Sequence, residues 1–202
     1  MILGSWNPSV VLTYLGASVA AGGIGLAVTG SVRGALACLV VAGVADLADG
    51  PVARRVRRDE TAKRFGVALD SVADVIGFVA LPVALLFALL PLGAAAVLSV
   101  VWVVPALARL AHFTASEADT EGPVSHYRGV PVTYAALVLP VVCLTRPLLP
   151  LVAFRGVLAV AVVVLAALFV IDLRVPKPRG PAYVLFGVLA IMVLLLLRMV
   201  TL

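Results

Sequence analysis

The chain has 202 residues, 63% of them hydrophobic and only 12% charged, with a mean hydropathy of +1.20. Those values exclude a soluble globular domain and leave an all-α polytopic membrane bundle, a single domain over 1–202. The net charge of +5 is clustered, at Arg54, Arg55, Arg57, Arg58, Lys63 and Arg64 and again at Arg174, Lys177 and Arg179.

The first apolar run, 8–29, opens without a basic n-region or a clear cleavage site and continues as a full span, so it reads as a retained helix. Its Gly and Ala spacing from Gly16 to Gly30 marks close helix packing. Further spans read at 34–54, 65–90, 93–114, 131–146, 152–171 and 181–199, and the break near Arg146-Pro147 leaves six to eight spans open. Cys38 and Cys143 both sit in apolar runs and read as packed thiols. The loops after the second, fourth and sixth spans hold most of the charge, whereas those after the first, third and fifth carry only Arg33, Arg146 and nearby Arg155. This Lys/Arg bias places the N-terminus and the 55–64 loop in the cytoplasm, as in a prokaryotic-type plasma membrane. The same basic face would also attract anionic lipid and a polyphosphate substrate.

Four carboxylates interrupt the second and third spans: Asp46-x-x-Asp49 and Asp70-x-x-x-Asp74. A centrally placed Asp costs roughly 2.5–3.5 kcal/mol on insertion scales, so four cost on the order of 10 kcal/mol, too much for decoration. Spacings of three and four put each pair on one helix face. With a rise of about 1.5 Å per residue, Asp49 and Asp70 lie roughly 7–8 Å below the cytoplasmic boundary, and Asp46 and Asp74 roughly 12–14 Å. Two antiparallel neighbours therefore present one four-acid cluster in the cytoplasmic half of the membrane.

Four close carboxylates repel one another and lose hydration, and hard divalent cations relieve both. Two Mg²⁺ or Mn²⁺ ions held by Asp46, Asp49, Asp70 and Asp74 would clamp a diphosphate and stabilise the leaving group. Gly50, Ala53 and Gly66 leave room for a bulky ligand beside the acids, and Arg54 offers a donor fork for phosphate or anchors topology. No Ser-His or Cys-His pairing is evident in this segment, so direct displacement by an alcohol, activated by a carboxylate, is the economical mechanism.

Asp46-x-x-Asp49-Gly50-x-x-Ala53-Arg54 followed by Gly66-x-x-x-Asp70-x-x-x-Asp74 resembles the signature of the CDP-alcohol phosphatidyltransferases. The resemblance implies a transmembrane bundle, a dimetal site, release of CMP and a homodimer. The gap between Arg54 and Gly66 is longer than the family's usual one, which implies a longer cytoplasmic turn and an intact site. Phe65-Gly66-Val-Ala-Leu-Asp70-Ser71-Val-Ala-Asp74, Ala108-Arg109-Leu-Ala-His112-Phe113 and Tyr127-Arg-Gly129-Val-Pro131-Val-Thr133 are similar to segments of the phosphatidylserine synthase branch. His112 and Thr133 stand where that branch has Arg and Pro.

The resemblance implies transfer of a phosphatidyl group from CDP-diacylglycerol to L-serine, within membrane lipid and with no nucleic-acid partner. Asp49, Gly50, Ala53, Arg54 and Gly66 would bind the nucleotide lipid. Asp74 would be the catalytic base as well as a metal ligand, and Arg109 and His112 would meet the acceptor, although Arg109 near a helix end can also snorkel to the interface. His126, Tyr127, Arg128, Asp172, Glu117, Asp119 and Glu121 read as solvated. Glycerol 3-phosphate or inositol phosphate is the alternative acceptor. A divalent-cation or proton transporter is the alternative class, disfavoured because all four acids lie toward one face of the membrane.

Overall fold

The computed structural model describes residues 8–53, 59–118, 126–176 and 181–200. Eight α-helices follow in order among them: α1 (Pro8–Val28), α2 (Val32–Ala53), α3 (Glu60–Asp74), α4 (Leu81–Leu89), α5 (Leu92–Ala118), α6 (Ala135–Cys143), α7 (Leu151–Val170) and α8 (Pro181–Met199). Each of the seven apolar runs read from the sequence contains helix among the described residues. Among the described residues, four stretches are long and apolar enough to cross a bilayer: Val10–Val28, Glu60–Leu89, Leu92–Ala115 and Leu151–Val170. The apolar helices at Val132–Leu148 and Tyr183–Met199 are shorter. α2 has 22 residues but carries Arg33, Asp46 and Asp49.

Apolar surface is no guide to the inside of this bundle. Val97, Val100 and Val104 on α5, Val157, Val160 and Val164 on α7, and Val184, Val188 and Ile191 on α8 are all exposed at helical spacing. Lipid tails are as apolar as these side chains, so helix association depends on close packing. Small residues supply it. A Cβ built on Gly16 would lie 3.1 Å from the Ala45 Cβ, one on Gly23 2.7 Å from the Cys38 Cβ, and one on Gly43 2.5 Å from the Ala136 Cβ. α2 is thereby the hub, packed against α1, α4, α6 and α8, while α5 packs on α3, α4 and α7. Leu36 and Leu39 of α2, Phe78, Leu81, Trp102 and Phe154 are buried among the core residues. Both cysteines are free thiols, Cys143 buried and Cys38 half-buried.

α3 starts at Glu60, five residues earlier than the span read from hydropathy. Asp59 caps it, accepting a 2.7 Å hydrogen bond from the Ala62 N–H, and Glu60 pairs with Lys63 at 3.5 Å and Arg64 at 3.8 Å. Part of the long basic connection is therefore helix rather than turn. The helix continues past Asp74 through a π-helical turn, Val75–Ala80, into α4, where the Leu81 N–H bonds the carbonyl five residues back on Ile76. Pro82 has no N–H to give to the Phe78 carbonyl. The buried Trp102 indole of α5 supplies that donor at 3.0 Å, while its ring meets Phe169 edge-on at 5.1 Å.

Trp102→Phe keeps an aromatic ring but strands a buried carbonyl. It should cost about 1–3 kcal/mol and lower the thermal midpoint in detergent by several degrees. A midpoint equal to wild type would show that the π turn does not depend on this donor.

Three further features depart from the sequence reading. α5 runs on to Ala118, into the segment read as a polar loop. Beyond it, His126–Arg128 and Arg174–Pro176 form a two-stranded antiparallel ribbon pairing Tyr127 with Val175. This small addition to an otherwise helical fold ties the loop after α5 to the end of α7. The run read as 131–146 is broken: a 3₁₀ turn at Val132–Tyr134, α6 with Pro140 inside it, and a second 3₁₀ turn at Arg146–Leu148.

Candidate active site

The acids belong to α2 and α3, each of which packs against α1. Carboxylate oxygens of Asp46, Asp49 and Asp70 all lie within 4.8 Å of one another. Asp74, one turn beyond Asp70, is in hydrogen-bond contact with Asp46, as the depth count for an antiparallel pair requires. All four acids line a small cavity closed on the α1 side by Leu12, Thr13 and Gly16. Asp46, Asp70 and Asp74 also line a second cavity of about 90 Å³ with Arg109 of α5 and with Pro131 and Thr133 from the segment before α6. Helices from five parts of the chain thus converge on one carboxylate cluster.

Two of these partners were not legible in the sequence. Thr13 of α1 donates a hydrogen bond of 3.2 Å to Asp49 Oδ2. The only signal was a hydroxyl three residues before Gly16, hence on the same helix face. Thr133 lines the cavity although it stands in place of a branch proline. The neighbouring α3–α5 contact is also polar. Thr114 donates to the Leu110 carbonyl at 2.9 Å, so the Ser71 hydroxyl donates to Thr114 Oγ1. This fixes α5 against the helix that carries Asp70 and Asp74.

Arg109 is buried, with 7% of its surface exposed, and its guanidinium lies 5.5 Å from the centroid of the Phe113 ring. A snorkelling arginine would expose its head to the interface. This one lines the acid cavity on one side and, on the other, a cavity of about 270 Å³ shared with His112, Gly129 and Asp172. Gly129 closes that side. Its φ of +80° suits glycine, its N–H donates to the Leu173 carbonyl at 2.8 Å, and a Cβ there would lie 2.9 Å from the Phe169 carbonyl oxygen and 3.4 Å from Arg109 Nε. His112 and Asp172 are exposed on the rim.

The remaining expectations divide simply. Gly66 is half-buried one turn before Asp70 and is not among the residues lining either acid cavity. Gly50 and Ala53 belong to the last turns of α2, and their surroundings, like Arg54 as a whole, fall outside the described residues.

The donor set is hard oxygen throughout, the chemistry preferred by Mg²⁺ and Mn²⁺. The 4.8 Å limit on three carboxylate oxygens is close to the span of about 4 Å across such an ion's oxygen shell. Two like charges at that separation repel by about 3–4 kcal/mol at an effective dielectric of about 20. The residues therefore fit a divalent cation, and Asp46, Asp49 and Asp70 are the three best placed to hold one.

The family model of the CDP-alcohol phosphatidyltransferases matches residues 6–171, from the start of α1 to the end of α7. The chain belongs to this family. A comparison with curated proteins finds no match. This CDP-alcohol phosphatidyltransferase is accordingly an integral membrane transferase of phospholipid biosynthesis, whose substrates are a CDP-alcohol and an acceptor alcohol. Divalent metals are typical of the family, and among the described residues the aspartate cluster could hold them.

Proposed function

We propose that this phosphatidyltransferase moves the phosphatidyl group of CDP-diacylglycerol to the hydroxyl of L-serine, giving phosphatidylserine and CMP. The observation that carries the choice of acceptor is Arg109, a buried cation in the same cavity as Asp46, Asp70 and Asp74. A fixed guanidinium beside an acid cluster offers the carboxylate of an amino-acid acceptor a charge-assisted contact. The similarity of the Arg109, Gly66–Asp74 and Gly129–Thr133 segments to the serine-using branch supports the same reading.

Two Mg²⁺ or Mn²⁺ ions on Asp46, Asp49, Asp70 and Asp74 would neutralise the diphosphate and make CMP a better leaving group. The protein side chains do the rest. Asp74 takes the serine hydroxyl proton. The hydroxyl oxygen then forms a bond to the phosphorus that bears diacylglycerol, and the bond from that phosphorus to the CMP oxygen breaks. Thr13 holds Asp49 in place, and Gly50, Ala53, Arg54 and Gly66 receive the cytidine and its phosphates. His112 stands at the outer rim of the acceptor side. The Lys/Arg bias places this end of the bundle at the cytoplasmic face, and a homodimer follows from family resemblance.

CMP release from CDP-diacylglycerol, measured with a panel of acceptors, tests the assignment. Serine should support turnover, and glycerol 3-phosphate and inositol phosphate should not. Release with a phosphorylated acceptor alone would replace serine, and no acceptor-dependent release would remove the transferase reading of the site. Arg109→Ala should raise the serine KM by about tenfold or more, the loss expected for a charge-assisted hydrogen bond, with kcat largely kept. A fall in kcat at unchanged KM would assign Arg109 to the diphosphate instead.

A further inference from the structure

A further cavity lies at the other end of the bundle. A groove of about 720 Å³ runs between the α1–α2 turn and the end of α8, lined by Gly30, Ser31, Arg33, Val41, Leu194 and Arg198 among others. Along α2, Arg33 and Asp46 are 13 residues apart, or roughly 20 Å, so this groove is separate from the carboxylate cluster.

Its chemistry is divided. Val41, Leu194 and Leu197 give it an apolar wall, and Arg33 and Arg198, both exposed, stand at its mouth. No acid is among the lining residues, and among the described residues neither arginine takes part in an ion pair. Two cations beside an apolar wall complement the phosphate and the acyl chain of a lipid with a net negative headgroup.

We propose that this groove binds an anionic phospholipid, its phosphate between Arg33 and Arg198 and an acyl chain along Val41 and Leu194. The site is structural or regulatory in role and independent of the acceptor and nucleotide sites.

Native mass spectrometry of the full-length protein in detergent tests it, with phosphatidylglycerol and phosphatidylcholine of identical chains as probes. Wild type should retain phosphatidylglycerol at least tenfold more tightly. Each arginine near a headgroup contributes about a fivefold factor, so Arg33→Gln with Arg198→Gln should weaken phosphatidylglycerol about 30-fold and leave phosphatidylcholine unchanged. CMP release by the double variant shows that it is folded. Should it fail to fold, the wild-type comparison decides alone: equal retention of the two lipids overturns the proposal. An unchanged preference in the folded double variant also overturns it. Loss of a dimer from the spectrum of that variant, with lipid adducts intact, would assign the groove to a second copy of the chain instead.

Discussion

Asp70→Asn should lower phosphatidyl transfer by about 10³-fold or more, and a chelator should do the same to the wild-type protein, reversibly on adding Mg²⁺ or Mn²⁺. Charge stabilisation by bound divalent cations is worth several kcal/mol, and about 4 kcal/mol corresponds to three decades in rate. The substitution removes one of three carboxylates whose oxygens lie within 4.8 Å. It also removes a repelling charge, so the folded protein should be no less stable and its thermal midpoint unchanged or raised. Loss of activity together with loss of folding would mean that Asp70 is structural. Full turnover after exhaustive chelation would overturn the metal assignment, whatever the variant does.

Asp74→Asn tests a different role. Asp74 contacts Asp46 and lines the cavity that also holds Arg109, on the side where the acceptor would enter. If it takes the serine proton, the amide should cut kcat by about 10²-fold or more, within the 10²–10⁴-fold range for general acid–base catalysis. CDP-diacylglycerol binding should be largely kept, because Asp46, Asp49 and Asp70 remain. A carboxylate that also holds a cation is a weak base, so its help comes mainly from position. Single-turnover measurements separate the cases. A slowed chemical step with unchanged lipid affinity supports the base. A rise in CDP-diacylglycerol Kd with an unchanged chemical step would make Asp74 a ligand alone.

The helical class and the cluster of acids were legible because hydropathy and spacing are local quantities. Apolar runs near 20 residues have one economical structure in lipid, and a carboxylate inside such a run is conspicuous by its cost. Spacings of three and four residues also specify which acids share a helix face, and the Asp46–Asp74 contact brings two such faces together. The early start of α3 was legible as well, in the Asp59-Glu60 capping signal, but hydropathy outweighed it.

What the tertiary structure decided is which other helices meet those faces. Only its spacing from Gly16 marks Thr13, which bonds Asp49, whereas Thr29, just past the end of α1, bonds the Gly25 and Leu26 carbonyls. The π turn after Asp74 has no signature in its apolar sequence. It exists alongside an indole from α5 that reaches the carbonyl left over by Pro82. Arg109 could have snorkelled to the interface, and only the packing of α5 against α3 and the closure by Gly129 turn it inward. The groove between Arg33 and Arg198 joins positions 165 residues apart. In lipid every outward face is as apolar as the core, so periodicity cannot say which face turns inward. Close contacts between small residues such as Gly43 and Ala136 make that choice.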